Sequence, residues 1–325
     1  MYSAACVRTG VLRQSVEGRK ACKMPVWNRG TAQKRDKDTA KPQKNKINLV
    51  FIAKKSYLCA QIFLDMSVKL EEVTGALERI APLPLQEGYD NAGLQCGLTE
   101  RNCSGALLCL DVTEEVIAAA AESGCNLIVS HHPLLFRGLK CIADEGYVER
   151  CVRRAILSDV AIYSAHTNLD NAFGGVCHEM AQRLGLTDVE FLVPSADGRS
   201  GSGVVGNIAP VPASELLVRM KDVFGAGSVA YSEGPQQTIR RVALCGGSGD
   251  FLIDAACRQG ADLFVTGEIG YHRFFGYGRR MWLASIGHFE SERYTPHLVE
   301  RILQDALPGL RTVVYEAPTS PVRYL

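Results

Sequence analysis

Nowhere in the 325 residues do 18 apolar residues follow one another, so the sequence offers no membrane-spanning helix and no membrane partner is expected. None of its 12 cysteines forms a CxxC pair, which removes the commonest thiolate zinc signature. A chain of this length does not need a disulfide framework either. The cysteines, scattered and often inside apolar stretches such as residues 107–110, are expected to be reduced core thiols of a cytoplasmic protein. Charged residues are only 22% against 46% hydrophobic, which excludes disorder throughout. Acidic residues are scarce at one end: residues 1–65 hold 4 Asp and Glu against 14 Lys and Arg, a balance of +10. The remainder holds 31 against 22, a balance of −9, together with all seven histidines. The formal net charge of +1 therefore adds two unlike segments.

Residues 1–65 show no sustained periodicity and contain a polar, basic stretch at 31–46, the pattern of a disordered or non-native extension. An Arg-rich, acid-poor start also suits a mitochondrial presequence, against which Asp36 and Asp38 intrude. The working protein is expected to begin near Met66. There Val68, Leu70, Val73, Leu77 and Ile80 recur at helical spacing until Pro82. A nucleic-acid arm rests on the basic segment alone. The acidic balance of the rest argues against nucleic acid as a partner.

Sliding the chain on itself gives a gap-free match at an offset of 136 residues, between 106–130 and 242–266. Eight of 25 positions are identical, among them Leu108/Leu244, Cys109/Cys245, Gly124/Gly260 and Leu127/Leu263. Each copy reads as apolar strand, turn, Ala-rich helix, helix-ending glycine and second apolar strand, a βαβ unit with parallel strands. The fold class that follows is α/β, with two pseudo-repeated lobes, mixed or parallel sheets and a site between them. Lobe one is expected from 66–189 plus 287–325, and lobe two from 190–286.

Ligands of open parallel sheets gather beyond the carboxyl ends of the strands. Four apolar strands here end in His or carboxylate: one runs into His131 and His132, one into His166 and Asp170, one into Glu268 and His272, and one into His288 and Glu292. His288 and Glu292, four apart, share a face if that turn is helical, and Thr295–Pro296 reads as the cap and first residue of a new helix. Imidazole with carboxylate suits Zn, Fe, Mn or Co rather than Ca. Three histidines, Asp170 and Glu292 exceed the needs of one open tetrahedral ion, so two divalent ions become the economical reading. Such a pair would generate a hydroxide at neutral pH for hydrolysis.

The segments GYDNAGLQCG (88–97), LDVTEEV (110–116), LIVSHHPLLFRGLK (127–140), YSAHTNLD (163–170), ADLFVTGEIGYH (261–272) and GHFESER (287–293) together resemble the Nif-three-like family. Its members are also called GTP cyclohydrolase I type 2 homologues or dinuclear metal-centre hexameric proteins. The resemblance runs from about Met66 to the C-terminus. It implies that His131, His132, Asp170, His288 and Glu292 bind two metal ions, with Glu292 bridging. It also implies a toroidal homohexamer, and reduces His166 to a neighbour of the site with an orienting or proton-transfer part. Glu268 and His272 are candidate catalytic or substrate-contacting residues.

Asp90 and Asn91 read either as turn formers or as site residues, and the glycine turn at 246–249 either as a tight connection or as a phosphate cradle. Arg199, Arg279 and Arg280 suit solvated surface better than an anion clamp. Two functional readings stay open. One is a metal-dependent hydrolase of GTP or a related nucleotide-like small molecule; the other is a non-enzymatic metal-binding hexamer that serves as an interaction platform.

Overall fold

Leu70, Val73 and Leu77 are buried along one stripe of helix α1 (Leu70–Ile80), while Ile80, assigned to the same stripe, is 45% exposed at the last turn. The Glu72 carboxylate accepts the Lys69 amide at 2.6 Å, and Glu71 and Glu72 lie favourably in the first turn of the dipole. This helix opens the computed structural model, which describes residues 68–325. The expectations for the basic extension lie outside the described residues.

The first sheet has five strands in the order β1, β4, β3, β2, β11. They are β1 (Gly93–Cys96), β2 (Ala106–Cys109), β3 (Leu127–Ser130), β4 (Ala161–Ser164) and β11 (Thr312–Val314). All neighbours pair in parallel except β1, an antiparallel edge. Alternation assigns each residue to a layer. Ala106, Leu108, Leu127, Val129, Ala161 and Tyr163 face α1 and helix α9 (Thr295–Ala306). Leu107, Cys109, Ile128 and Ile162 face the opposite layer, formed by α2 (Glu114–Glu122) and α3 (Tyr147–Leu157). With both faces covered, the strands read as unbroken apolar runs.

The second sheet has six strands in the order β5, β6, β8, β9, β10, β7. Its parallel centre is β8 (Thr238–Cys245), β9 (Leu263–Thr266) and β10 (Trp282–Ser285). Antiparallel strands β5 (Thr187–Pro194), β6 (Gly201–Pro212) and β7 (Ala230–Ser232) flank it. Helices α5 (Val176–Leu184), α6 (Ala213–Phe224) and α7 (Ile253–Arg258) pack into its core with Met180, Leu216, Phe224 and Ile253. Among the described residues no helix is long and apolar enough to cross a membrane.

The repeat survives into three dimensions in register. Ala106 pairs with Leu127 and Cys109 with Ser130; 136 residues on, Val242 pairs with Leu263 and Cys245 with Thr266. Gly124 and Gly260 both take the left-handed backbone, φ +71° and +70°, that ends the two helices. The copies differ where a cap is missing. Thr113 accepts the Val116 amide at 3.2 Å and starts a nine-residue helix, whereas its counterpart is Gly249, after which a 3-10 turn precedes the six-residue α7.

Two expectations need correction. Thr295 does not cap α9: it is the first helical residue, preceded by Tyr294 in helical geometry, and its buried hydroxyl has no hydrogen-bond partner. Nor are all described cysteines core thiols, because Cys141 is exposed and Cys96, Cys103 and Cys257 are half-buried.

Candidate metal centre

Strand β3 ends at Ser130, whose hydroxyl meets Ser164 Oγ at 2.8 Å and the His132 carbonyl at 2.9 Å. The next two amides continue along β2, His131 to the Cys109 carbonyl and His132 to that of Leu110. The two imidazoles are thereby held 5.0 Å apart, tilted by 44°. Beyond β4, His166 leads into the single turn α4 (Thr167–Asp170), which carries Asp170. Beyond β10, the turn α8 (His288–Glu292) is helical, and His288 Nε2 lies 3.2 Å from Glu292 Oε2.

Four histidines are fixed in the same way. The Nδ1 of His131 meets the Ala165 carbonyl at 2.8 Å, and that of His132 meets Asp111 at 2.7 Å. His166 Nδ1 meets Asp90 at 2.7 Å, and His288 Nδ1 meets Glu268 at 3.1 Å. A ring whose Nδ1–H is donated outward keeps its Nε2 lone pair for whatever lies inside. The Nε2 of His131 is 3.6 Å from Asp170 Oδ1 and 3.8 Å from Glu292 Oε1, while that of His132 is 3.0 Å from Glu292 Oε2.

Donor atoms within 4.8 Å of one another form three groups: His131, Asp170 and Glu292; His132, His288 and Glu292; and His131, His132 and His166. The fit to a metal ion is tested by the hydrogen bonding. His131 Nε2 and Asp170 Oδ1 are buried without a hydrogen-bond partner, an unfavourable arrangement that a cation between them would relieve. The cluster can hold a metal ion.

Its electrostatics point the same way. Burial opposes ionisation of Glu292, but the imidazoles of His131, His132 and His288 around it outweigh that cost and hold the carboxyl well below its ordinary range. Burial raises Asp170, against the pull of His131. Burial also disfavours charge on His132 and His288, yet Asp111 and Glu292 push the first up to about 10, and Glu292 pushes the second up to about 9. For Asp90 burial is likewise outweighed, here by hydrogen bonds from His166 and Thr167, which bring it down to about 2.

The glycine turn serves the cluster. A Cβ on Gly247 would stand 2.4 Å from Glu292 Oε1, and one on Gly246 3.2 Å from Glu292 Cγ, so the glycines make room for that carboxylate. The phosphate-cradle reading is weakened, because the Gly247 amide donates to Ser291 Oγ at 3.0 Å and the Gly249 amide to Thr266 Oγ1 at 2.9 Å.

All five expected ligands converge, and His166 stands closer in than a mere neighbour. Glu268 reaches the cluster only through His288. His272 is not brought there: it is exposed in a 3-10 turn, its ring against Tyr271 and Phe275. Sequence reasoning missed Asp111, which orients His132 and accepts a hydrogen bond from the Thr319 hydroxyl in the C-terminal tail. Its position just past β2, where ligands of a parallel sheet collect, was the available signal.

Four imidazoles and two carboxylates gathered at the strand ends of two α/β sheets define a candidate metalloprotein. Residues 68–321 match the family described as DUF34/NIF3 (NGG1p interacting factor 3), and the chain belongs to it. It is 36% identical over 228 residues, 69% of this chain and 87% of the relative, to a Clostridium perfringens protein named GTP cyclohydrolase 1 type 2 homolog. A Lactococcus lactis protein of the same name is 33% identical over 243 residues, 74% of this chain and 91% of its own. Among solved structures, a Staphylococcus aureus hypothetical protein superposes with a TM-score of 0.76 at 26% identity, over 80% of this chain and 100% of that one. A Bacillus cereus protein related to NIF3, at 22% identity and TM-score 0.75 over 79% and 99% of the two chains, shares the fold.

Proposed function

We propose that the protein is a hydrolase that holds two divalent metal ions and acts on a nucleotide-like small molecule, with GTP the first candidate. The observation that carries this is the pair of donor groups sharing Glu292. His131, Asp170 and Glu292 would hold one ion, and His132, His288 and Glu292 the other. Zn, Fe, Mn and Co all suit such donors. Ions bound there would supply Lewis acidity and make water a usable nucleophile near neutral pH.

The chain's own groups do the rest. Outward hydrogen bonds to Ala165, Asp111 and Glu268 fix the tautomer and aim of three imidazoles, so that little reorganisation accompanies binding. His166, left outside both donor groups, is held through Nδ1 by Asp90, with its ring beside those of His131 and His132 at centroid distances of 5.3 and 5.6 Å. It is thereby positioned to take a proton from an attacking water or return one to a leaving group. The names of the clostridial and lactococcal relatives support a guanine nucleotide as the first substrate to test.

Assembly into a homohexamer is part of the reading. Tyr231, on the edge strand β7, and the nearby Tyr271 and Phe275 are 52%, 73% and 63% exposed, and an uncovered aromatic patch on a sheet edge suits subunit contact. Light scattering of the full chain measures it; a monomer would remove this part.

The experiment for the activity is formate release from GTP by full-length protein loaded in turn with each metal: one water adds at the purine C8 and opens the ring to an N-formyl group, and a second water cleaves that amide to free formate and the amine. Asp170→Asn and His131→Ala serve as controls. Turnover that requires the metal and both side chains is expected. Absence of turnover with every metal, on GTP and on other nucleotides, would remove the hydrolytic reading.

A further inference from the structure

Two loops beside the cluster are tied together around a pair of exposed rings. Asn91 Nδ2 donates to the Leu135 carbonyl at 2.7 Å, the Leu135 amide to Gln95 Oε1 at 3.1 Å, and Gln95 Nε2 back to the Asn91 carbonyl at 2.6 Å. The residues they carry are Tyr89, 65% exposed, and Phe136, 43% exposed, whose rings meet edge to face with centroids 6.4 Å apart. Phe136 in turn stands edge-on to His166 at 6.2 Å and 87°. Large rings left in water are a cost to a folded chain, and here they are also fixed in place next to a candidate proton-transfer residue.

Tyr89 lines a cavity of about 190 Å³ that reaches His166, Asp170, His288 and Glu292, with Phe251, 57% exposed, also in its wall. Pockets that enclose drug-sized ligands run to about 300–1,000 Å³, so this space takes one ring system rather than a whole nucleoside triphosphate. Among the described residues no Lys or Arg lines it, and the amides of Gly247 and Gly249 are already donated. Neither Phe136 nor the Arg137 that follows it lines the cavity; Phe136 adjoins it through its contacts with Tyr89 and His166.

We propose that Tyr89 and Phe136 form a stacking ledge for a planar, uncharged heteroaromatic ring of nucleobase size, which they deliver edge-first to His166 and the metal cluster. Recognition then comes from the ring's face, and phosphate groups contribute no specificity through the protein. This rests on the hydrolytic reading for the ledge's use, but the binding it describes can be measured without turnover.

The test is calorimetric titration of full-length protein, metal-free and zinc-loaded, with guanosine, ribose 5-phosphate and inorganic tripolyphosphate. Guanosine is expected to bind the metal-free protein at least about tenfold more tightly than either phosphate compound. Tyr89→Ala and Phe136→Ala should each weaken guanosine by about five- to tenfold, Phe136→Tyr should retain it, and Arg137→Ala should leave it unchanged. Unaltered metal content and melting temperature of the variants show that the fold is intact. Tripolyphosphate binding the metal-free protein as tightly as guanosine, or guanosine affinity indifferent to both ring deletions, overturns the ledge. Guanosine binding that depends on the rings, with no metal-dependent turnover on any nucleotide, would keep the ledge and remove the hydrolase. Turnover with ring-independent binding would do the reverse.

Discussion

Gly247 separates the backbone's contribution to the site from the metal's. Its φ is +55°, and a Cβ there would lie 2.4 Å from Glu292 Oε1 and 3.2 Å from His288 Nε2. An alanine in the left-handed region costs about 1–2 kcal/mol. Ordinary contact begins at 3.4 Å, so Gly247→Ala must also move the Glu292 carboxylate by roughly 1 Å. Metal ligands tolerate displacements of about 0.2 Å. Gly198→Ala supplies the control, because Gly198 has φ +69° with nothing within 4 Å of its would-be Cβ. Both variants should lose a few degrees of melting temperature without metal, at about 2–4 °C per kcal/mol for a domain of this size. Zinc at a hundred times its dissociation constant should then stabilise the wild type and Gly198→Ala by about 2.7 kcal/mol for each ion bound. Gly247→Ala should gain little or nothing. Calorimetry with and without zinc, paired with elemental analysis, reads both effects. If Gly247→Ala gains as much from zinc as Gly198→Ala, the glycine turn does not make room for a metal-binding Glu292.

Asp111→Asn keeps the shape of the contact to His132 but removes its charge, and metal affinity measured by chelator competition at pH 9 should fall about 10–100-fold. Asp170 is half-buried, with its carboxyl raised and its Oδ1 buried and unpartnered, so Asp170→Asn should abolish metal binding while leaving the metal-free melting temperature equal to or above that of the wild type. His132 at about 10 and His288 at about 9 lie above the ordinary value of 6.5. The stability these two imidazolium ions give the metal-free protein is thus fully present below about pH 6.5 and lost as pH rises through 9 to 10, a decline that denaturant titration along a pH series measures. For the same reason zinc uptake at pH 7.5 should release protons, seen as a binding enthalpy that varies with the buffer's heat of ionisation.

The sequence made the strand ends legible because parallel strands buried on both faces announce themselves as apolar runs, and the 136-residue repeat aligned two of them down to the pairing register. The i, i+4 spacing of His288 and Glu292 made their turn legible as well. What escaped were relations between distant residues. Nothing local to Asp111 says that it faces a histidine 21 positions on and a threonine 208 positions on. Tertiary packing likewise overrode the local signal at Thr295, where a good capping residue was drawn into the helix it was expected to start. The glycine turn shows the opposite limit: its composition suits a phosphate cradle, and only the neighbouring hydroxyls and carboxylate reveal that it is already occupied by the protein itself.

The Thr319 hydroxyl, hydrogen-bonded to Asp111, gives the site a temporal order. Residues 131 and 132 leave the ribosome long before residue 319 does, so the Asp111 carboxylate that orients His132 gains its second partner only late in synthesis. A chain that stops after β11 but before Thr319 could form both sheets and still hold a metal at His132 less firmly. Cleavage of the chain between β11 and Thr319 is therefore expected to loosen a metal held at His132 before it disturbs either sheet.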